Sequence, residues 1–190
     1  MNLITFDLET SGLDPKVHEI IEIAAVVECG GVANYFHEKV KFSLEKADPK
    51  ALEINHFDPE EWEATALGKD TMARKFARFL SPYQDVRKIS KAGKPYKVAK
   101  LSGYNADAFD IKFLLEHFQN VGVFLPVDLR VLDVMQLAMW RGYLENWDLE
   151  SYKLADVATR LGIERPVRLH EAMADVELTV KVRKALEVEG

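Results

Sequence analysis

Leu3-Ile4-Thr5-Phe6-Asp7-Leu8-Glu9-Thr10-Ser11-Gly12-Leu13 is the stretch from which the fold is read. Successive side chains of a strand point to opposite faces. Ile4, Phe6 and Leu8 therefore face one way, and Thr5, Asp7 and Glu9 the other. Two carboxylates end up side by side at the end of an otherwise apolar strand. Ionised neighbours of that kind repel and lose hydration unless a cation sits between them. A hard divalent ion with oxygen ligands is the natural occupant, since magnesium is commonly held by one or two carboxylates plus substrate phosphates. A plainer reading competes: the two acids simply end a strand and open the solvated turn Thr10-Ser11-Gly12.

Outward from this strand, residues 20–29 and 33–43 are also rich in β-branched and apolar residues, and they flank Gly30-Gly31, a hairpin signal. The pattern then turns helical at Asp58-Pro59-Glu60-Glu61, a capping acid followed by proline and two further acids. Thr71 to Leu80 and Ile111 to Phe118 carry apolar residues at three- and four-residue spacing, as amphipathic helices do. Val98 to Tyr104 reads as a strand that delivers Asn105 and Asp110 to its C-terminal end. Arg130 to Val134 reads as another, followed by a helix through Trp140. Ser151 to Leu161 forms an apolar stripe that stops at Gly162, and His170 to Leu186 closes the chain as a helix. A hairpin of strands followed by alternating strand and helix points to an α/β fold, a mixed central sheet flanked by helices.

Two other segments carry chemistry-bearing side chains. Asp110 lies in Ser102-Gly103-Tyr104-Asn105-Ala106-Asp107-Ala108-Phe109-Asp110. Taken alone it reads as an acid in the first turn of a helix whose start is capped around Asn105-Ala106-Asp107. His170 and Asp175 are five apart, which on an ideal helix separates them by roughly 140°. They cannot share a face if both are helical, so His170 is expected at or just before the helix N-terminus, with Asp175 one turn inside. A lone histidine there reads equally as a surface or capping residue.

In this order and at these spacings, the three segments resemble the DEDD superfamily of 3′-to-5′ exonucleases. The first matches as Asp7-Leu8-Glu9-Thr10-Ser11-Gly12-Leu13, the second as Gly103-Tyr104-Asn105 with Phe109-Asp110, the third as His170-Glu171-Ala172-Met173-Ala174-Asp175. Histidine in the last motif resembles the histidine subclass. The likeness runs from residue 2 to about residue 185. One departure is visible: many members place the asparagine four residues before the aspartate, whereas Asn105 and Asp110 are five apart.

The resemblance implies a ribonuclease H-like fold and one exonuclease domain over residues 1–190. It implies two divalent cations, Mg²⁺ or Mn²⁺, held by Asp7, Glu9, Asp110 and Asp175, with His170 taking the proton of the attacking water. Such a site hydrolyses the terminal phosphodiester at a free 3′ end and releases nucleoside 5′-monophosphates. Substrate contacts are implied at Thr10, Gly12, Leu13, Asn105 and Phe109. Tyr104 and Phe109 offer stacking faces, though both read equally as core aromatics. Single-stranded DNA is the expected substrate. The alternatives are an exoribonuclease that trims RNA ends or degrades oligoribonucleotides, separated from a DNA enzyme by recognition of the 2′-OH, and a non-catalytic nucleic-acid-binding module of the same fold.

Composition bounds the rest. At 190 residues and 48% hydrophobic, the chain suffices for one well-buried core and is short for two. A single cysteine, Cys29, forbids an intrachain disulfide and fits a reducing, cytoplasmic setting. The N-terminus lacks the pattern of a signal peptide, and no run approaches the ~18 apolar residues of a membrane span. The net charge of −6 is unusual for a partner of nucleic acid. It is unevenly spread: Arg87, Lys88, Lys91, Lys94, Lys97 and Lys100 fall between Val86 and Lys100 without one acid. That stretch reads either as a solvated loop or hairpin or as an arm that contacts phosphates. An enzyme gripping a few nucleotides at a strand end needs less charge than a duplex binder. The sequence leaves the protein partner open, with a polymerase and a second copy of the chain as the candidates.

Overall fold

The computed structural model describes residues 1–29, 31–164 and 171–187. Strand β1 (Leu3–Thr10) pairs antiparallel with β2 (Ile20–Cys29), which pairs antiparallel with β3 (Val32–Lys39). The β2–β3 register runs to Cys29 opposite Val32, around the glycine pair read as a hairpin turn. Helices α1 (Pro49–Ile54) and α2 (Pro59–Thr65) follow, each entered through an aspartate and a proline. Asp58 accepts hydrogen bonds from the Glu60 and Glu61 amides, satisfying two of the orphan donors at the helix start. The first of these helices was not apparent in the sequence, because six residues hold too few apolar positions for a periodic signal. Helix α3 (Lys69–Leu80) then leads to a hairpin of β4 (Val86–Ile89) and β5 (Pro95–Gly103). The remaining elements are α4 (Asp110–Asn120), β6 (Val127–Asp133), α5 (Val134–Glu145), α6 (Leu154–Arg160) and α7 (Ala172–Glu187).

The sheet is mixed. β5 lies parallel to β1 and to β6, antiparallel to β4. The alternation read from the first strand sets up its two faces. Ile4, Phe6 and Leu8, with their cross-strand partners Val27, Ala25 and Ile23, join Phe76 of α3 and Phe113, Leu114 and Phe118 of α4 in the main core. Phe76 has no solvent exposure and packs its ring on Phe36 and Phe118 at centroid distances of 5.1 and 6.4 Å. On the opposite face, Ala24 and Val26 receive Ala172 and Val176 of α7. A further cluster joins Val134 and Ala138 of α5, Val157 and Ala158 of α6, and Leu178 and Val182 of α7.

The third strand ends at Lys39 rather than at residue 43 and the last begins at Val127 rather than Arg130, and two further differences from the sequence reading bear on the site. The basic stretch is the β4–β5 hairpin, so β5 begins at Pro95 rather than at Val98. The start of α4 is not capped by the Asn105-Ala106-Asp107 turn: its cap position is Phe109, which offers no side-chain hydrogen bond, and Asn105 takes a left-handed conformation (φ 58°) before it. That loop is held instead by Asp133, at the start of α5, whose Oδ1 accepts from the Asn105 amide at 3.0 Å and whose Oδ2 accepts from the Asp107 amide at 3.1 Å. No helix among the described residues is long and apolar enough to cross a membrane.

Candidate active site

Asp7 and Glu9 end β1 on the sheet face that α7 covers. Ala172 and Val176, four apart on α7, pack on that face and carry Asp175 in with them, because residues three and four apart share a side of a helix. Carboxylate oxygens of Asp7, Glu9 and Asp175 consequently lie within 4.8 Å of one another. Asp110 joins from the other direction as the first residue of α4, only 4% exposed, with its Oδ1 accepting the Leu8 amide of β1 at 3.1 Å. Asp110 and Asp175 both sit in the first turn of a helix, where the backbone dipole favours negative charge.

The electrostatics are those of acids forced together. Burial, then the negative charges of Asp175, Glu22 and Asp110, push the Glu9 pKa up to about 8. Burial raises Asp110 to about 7, with the Leu8 amide pulling against the shift and Asp133 adding to it. Asp7 keeps some contact with solvent, yet desolvation followed by the charges of Asp110, Glu9, Asp175 and Glu22 holds it well above the usual carboxylate range. A donor set of carboxylate oxygens, partly desolvated and mutually repelling, matches the requirement of a hard divalent cation, whose charge would reverse each of these shifts. The residues therefore fit such ions.

Glu22 belongs to this neighbourhood and was not picked out from the sequence. It faces Glu9 across the β1–β2 pairing, is buried, and its Oε1 lies 2.6 Å from Nε2 of His37 on β3. That contact raises the His37 pKa, so the pair shares a charge-assisted bond. A lone acid inside the apolar run Ile20-Ile21-Glu22-Ile23 was the available signal.

The loop after β1 is pinned at several points. The Thr10 hydroxyl donates to the Gly12 carbonyl at 2.8 Å, Asn55 Nδ2 donates to the Thr10 carbonyl at 2.9 Å, and the Ser11 amide donates to the Glu19 carbonyl at 2.8 Å. Gly12 lies against the His18 ring, which a Cβ there would meet at 2.2 Å. Leu13 projects from this fixed loop with 80% exposure. Beside Asp175 opens a cavity of about 590 Å³ lined by Tyr104, Asn105, Met135, Tyr152, Lys153 and Leu154, among others. Asn105 thus borders the site from across the cavity. Phe109, next to Asp110, does not line the cavity, and its ring packs on Phe113 at 5.0 Å along the edge of the main core. Tyr104 donates its hydroxyl to the Tyr152 carbonyl at 2.6 Å, which fixes the cavity wall. Met135, Tyr152 and Lys153 carried no motif, being assembled here from α5 and the entry to α6. His170 lies outside the described residues.

The chain resembles known proteins in sequence and in fold. A family model described as Exonuclease matches residues 4–85, and one described as RNase_H superfamily matches residues 64–175. Among curated proteins, the chain is 30% identical over 180 residues to a DNA polymerase III PolC-type of Thermotoga maritima, covering 94% of this chain and 11% of that one. It is 26% identical over 192 residues to Exonuclease DPD1, chloroplastic/mitochondrial, of Arabidopsis thaliana, covering 57% of that protein. The chain thus spans about a tenth of the first relative and just over half of the other. Solved structures share its fold. Exonuclease I of E. coli with a dT13 oligonucleotide superposes with a TM-score of 0.73 at 21% identity over 98% of this chain and 41% of that one. Exonuclease I from Methylocaldum szegediense gives a TM-score of 0.77 at 18% identity over 99% and 41%. The mixed sheet flanked by helices is an RNase H-like fold, and with a matching model that spans more than half of its length, this chain belongs to the RNase_H superfamily.

Proposed function

We propose that the chain is a divalent-cation-dependent 3′-to-5′ exonuclease that hydrolyses the terminal phosphodiester of single-stranded DNA and releases nucleoside 5′-monophosphates. The observation that carries this reading is the convergence of Asp7, Glu9 and Asp175 oxygens within 4.8 Å, with buried Asp110 adding its charge from behind. The Exonuclease match over residues 4–85 supports the reaction class. The Exonuclease I structures with dT13 and dA16 oligonucleotides support a single-stranded DNA substrate.

Asp7, Glu9, Asp110 and Asp175 would hold two Mg²⁺ or Mn²⁺ ions. When bound, such ions supply an activated water and stabilise the charge that develops on the phosphate. The chain's own groups do the rest. His170 accepts the proton of the attacking water; an unperturbed imidazole, with pKa about 6.5, is mostly neutral at neutral pH and so available as a base. The main chain from Thr10 to Gly12 meets the terminal sugar, and Leu13 presses on its base. The cavity beside Asp175 receives the neighbouring part of the substrate.

The test uses 5′-labelled single-stranded DNA, duplex DNA and RNA of one sequence, digested with Mg²⁺ and with a chelator. A ladder shortening from the 3′ end of the single-stranded DNA, absent with chelator, is the expected outcome. Faster shortening of the RNA would move the substrate to an exoribonuclease's, and no metal-dependent shortening in any lane would remove the nuclease reading. Asp7→Ala is expected to abolish activity, and His170→Ala to cut turnover by orders of magnitude while leaving Mg²⁺ binding, read by calorimetry, largely intact.

A further inference from the structure

We propose that the groove between the β4–β5 hairpin, the C-terminal half of α4 and the start of β6 is a second contact surface for single-stranded nucleic acid, holding the strand upstream of the end that is cut. It extends the nuclease reading, in that the occupant is the same polymer. The groove has a volume of about 490 Å³ and lies away from the acidic cluster. Tyr96 and Phe124 form its lips, 41% and 67% exposed, with ring centroids 6.5 Å apart. Lys88 and Arg130 line its walls. Lys88 is already matched to Asp128, whose Oδ1 it meets at 2.8 Å, and Lys100 reaches the other oxygen at 3.3 Å. The side chains of Arg130, Lys91 and Lys94 make no ion pair among the described residues, and the latter two flank the hairpin turn at the groove's end. Exposed aromatic faces bracketed by cations are what a single strand requires: bases stack, and phosphates pair with lysine and arginine.

The cations of the hairpin sit on both of its faces: its registration sets Arg87 opposite Lys97, on the face turned away from Lys88 and Tyr96. The whole 86–100 segment contains six cations and no acid in a chain of net charge −6; Lys88 and Lys100 are matched by Asp128, and the others leave a local positive field complementary to phosphate. A route connects the two sites. α4 begins at Asp110, and its residues Leu115 and Gln119 reach the groove; Lys112, Leu115 and Gln119 form one exposed stripe along it at three- and four-residue spacing. Asp110 and Gln119 are separated by roughly 13 Å of helix axis.

Binding is read without chemistry, by fluorescence anisotropy of a labelled oligodeoxynucleotide of about 20 residues, long beside typical single-strand sites, in the presence of chelator. Tyr96→Ala/Phe124→Ala is expected to weaken binding at least tenfold. Lys91→Ser/Lys94→Ser/Arg130→Ser is expected to weaken it similarly and to flatten the slope of log affinity against log salt by about 2, three phosphate contacts at about 0.7 each. The control Lys181→Ser, on the helix that covers the other face, should leave both unchanged. With Mg²⁺, the same variants should raise KM for the long substrate but not for a trinucleotide, with kcat unaltered. Unchanged affinity and slope in the groove variants would overturn the proposal even if the chain degrades DNA, whereas intact binding contrasts with absent hydrolysis would overturn only the nuclease reading. Poly-glutamate displacing the oligonucleotide at equal charge would overturn the choice of nucleic acid and mark an acidic protein as the occupant.

Discussion

Glu9 lies buried beside Asp175 and across the β1–β2 pairing from Glu22, and in the metal-free chain its pKa is pushed up to about 8. The folded protein therefore keeps a proton that the unfolded chain, with an ordinary glutamate near 4.5, releases. Stability from this group is fully present below about pH 4.5 and is lost as the pH rises through about 8. Asp110, raised to about 7, acts in the same sense. A divalent cation binds the ionised carboxylates and should remove the penalty. Scanning calorimetry of chelated and Mg²⁺-loaded protein is expected to show a Mg²⁺-dependent rise in Tm that is several degrees larger at pH 8.5 than at pH 6, each kcal/mol moving Tm by about 2–4 °C in a domain of this size. A Mg²⁺ effect that does not vary with pH would contradict this account. The acid pair Asp7 and Glu9 was legible from strand alternation alone, and Asp175 from its motif. Glu22 was not, because its importance comes from lying opposite Glu9 in a pairing register that no local pattern encodes.

At the scale of elements, the loop between β5 and α4 shows how a site residue is positioned from outside its own segment. Gly103 brings that loop onto β1 so closely that a Cβ would lie 2.8 Å from the Phe6 carbonyl oxygen. Asp133 then holds the Asn105 and Asp107 amides while also capping α5 through the Met135 amide at 2.9 Å. Asp133→Ala should cost about 1–2 kcal/mol, as loss of a helix cap does, and in addition lower turnover at least tenfold, because the segment carrying Asp110 loses its anchor. Asp58→Ala, which removes the comparable cap of α2 far along the chain, should cost similar stability and leave turnover alone. Urea melts and single-turnover rates of the two variants check this, and equal activity would show that Asp133 only caps. The turn at Asn105 was visible in the sequence, but its partner lies 28 residues on, and capping rules look only a few residues ahead. The sequence leaves the basic stretch open between a solvated loop or hairpin and a phosphate-contacting arm for a related reason: β4 is four residues long, too short for alternation to register.

Over the whole molecule, the two faces of the sheet have separate tasks. The face of Ile4, Phe6 and Leu8 is closed by α3 and α4 over an apolar core, while the other takes α7 together with Asp7, Glu9 and Asp175. Phe76 at the centre of the first face should be worth about 3–5 kcal/mol when cut to alanine. Urea unfolding of Phe76→Ala, followed by fluorescence and circular dichroism, is expected to show that loss in one transition; separate transitions would mean that the two faces unfold independently. The sequence by itself determined the strand of Asp7 and Glu9, the capped start of α2, the apolar stripes of α3, α4 and α6, and the α/β class, because alternation, capping and helical periodicity are local and each is written within about a dozen residues. Only the tertiary structure decided that β5 lies parallel beside β1, that Asp175 arrives within 4.8 Å of Asp7 and Glu9, that Glu22 and Asp133 stand behind them, and that a cavity of about 590 Å³ opens between α5 and α6 at Asp175. Those contacts join residues from 13 to 168 positions apart, and they form when apolar faces close on each other, a process that fixes distances no spacing along the chain can specify.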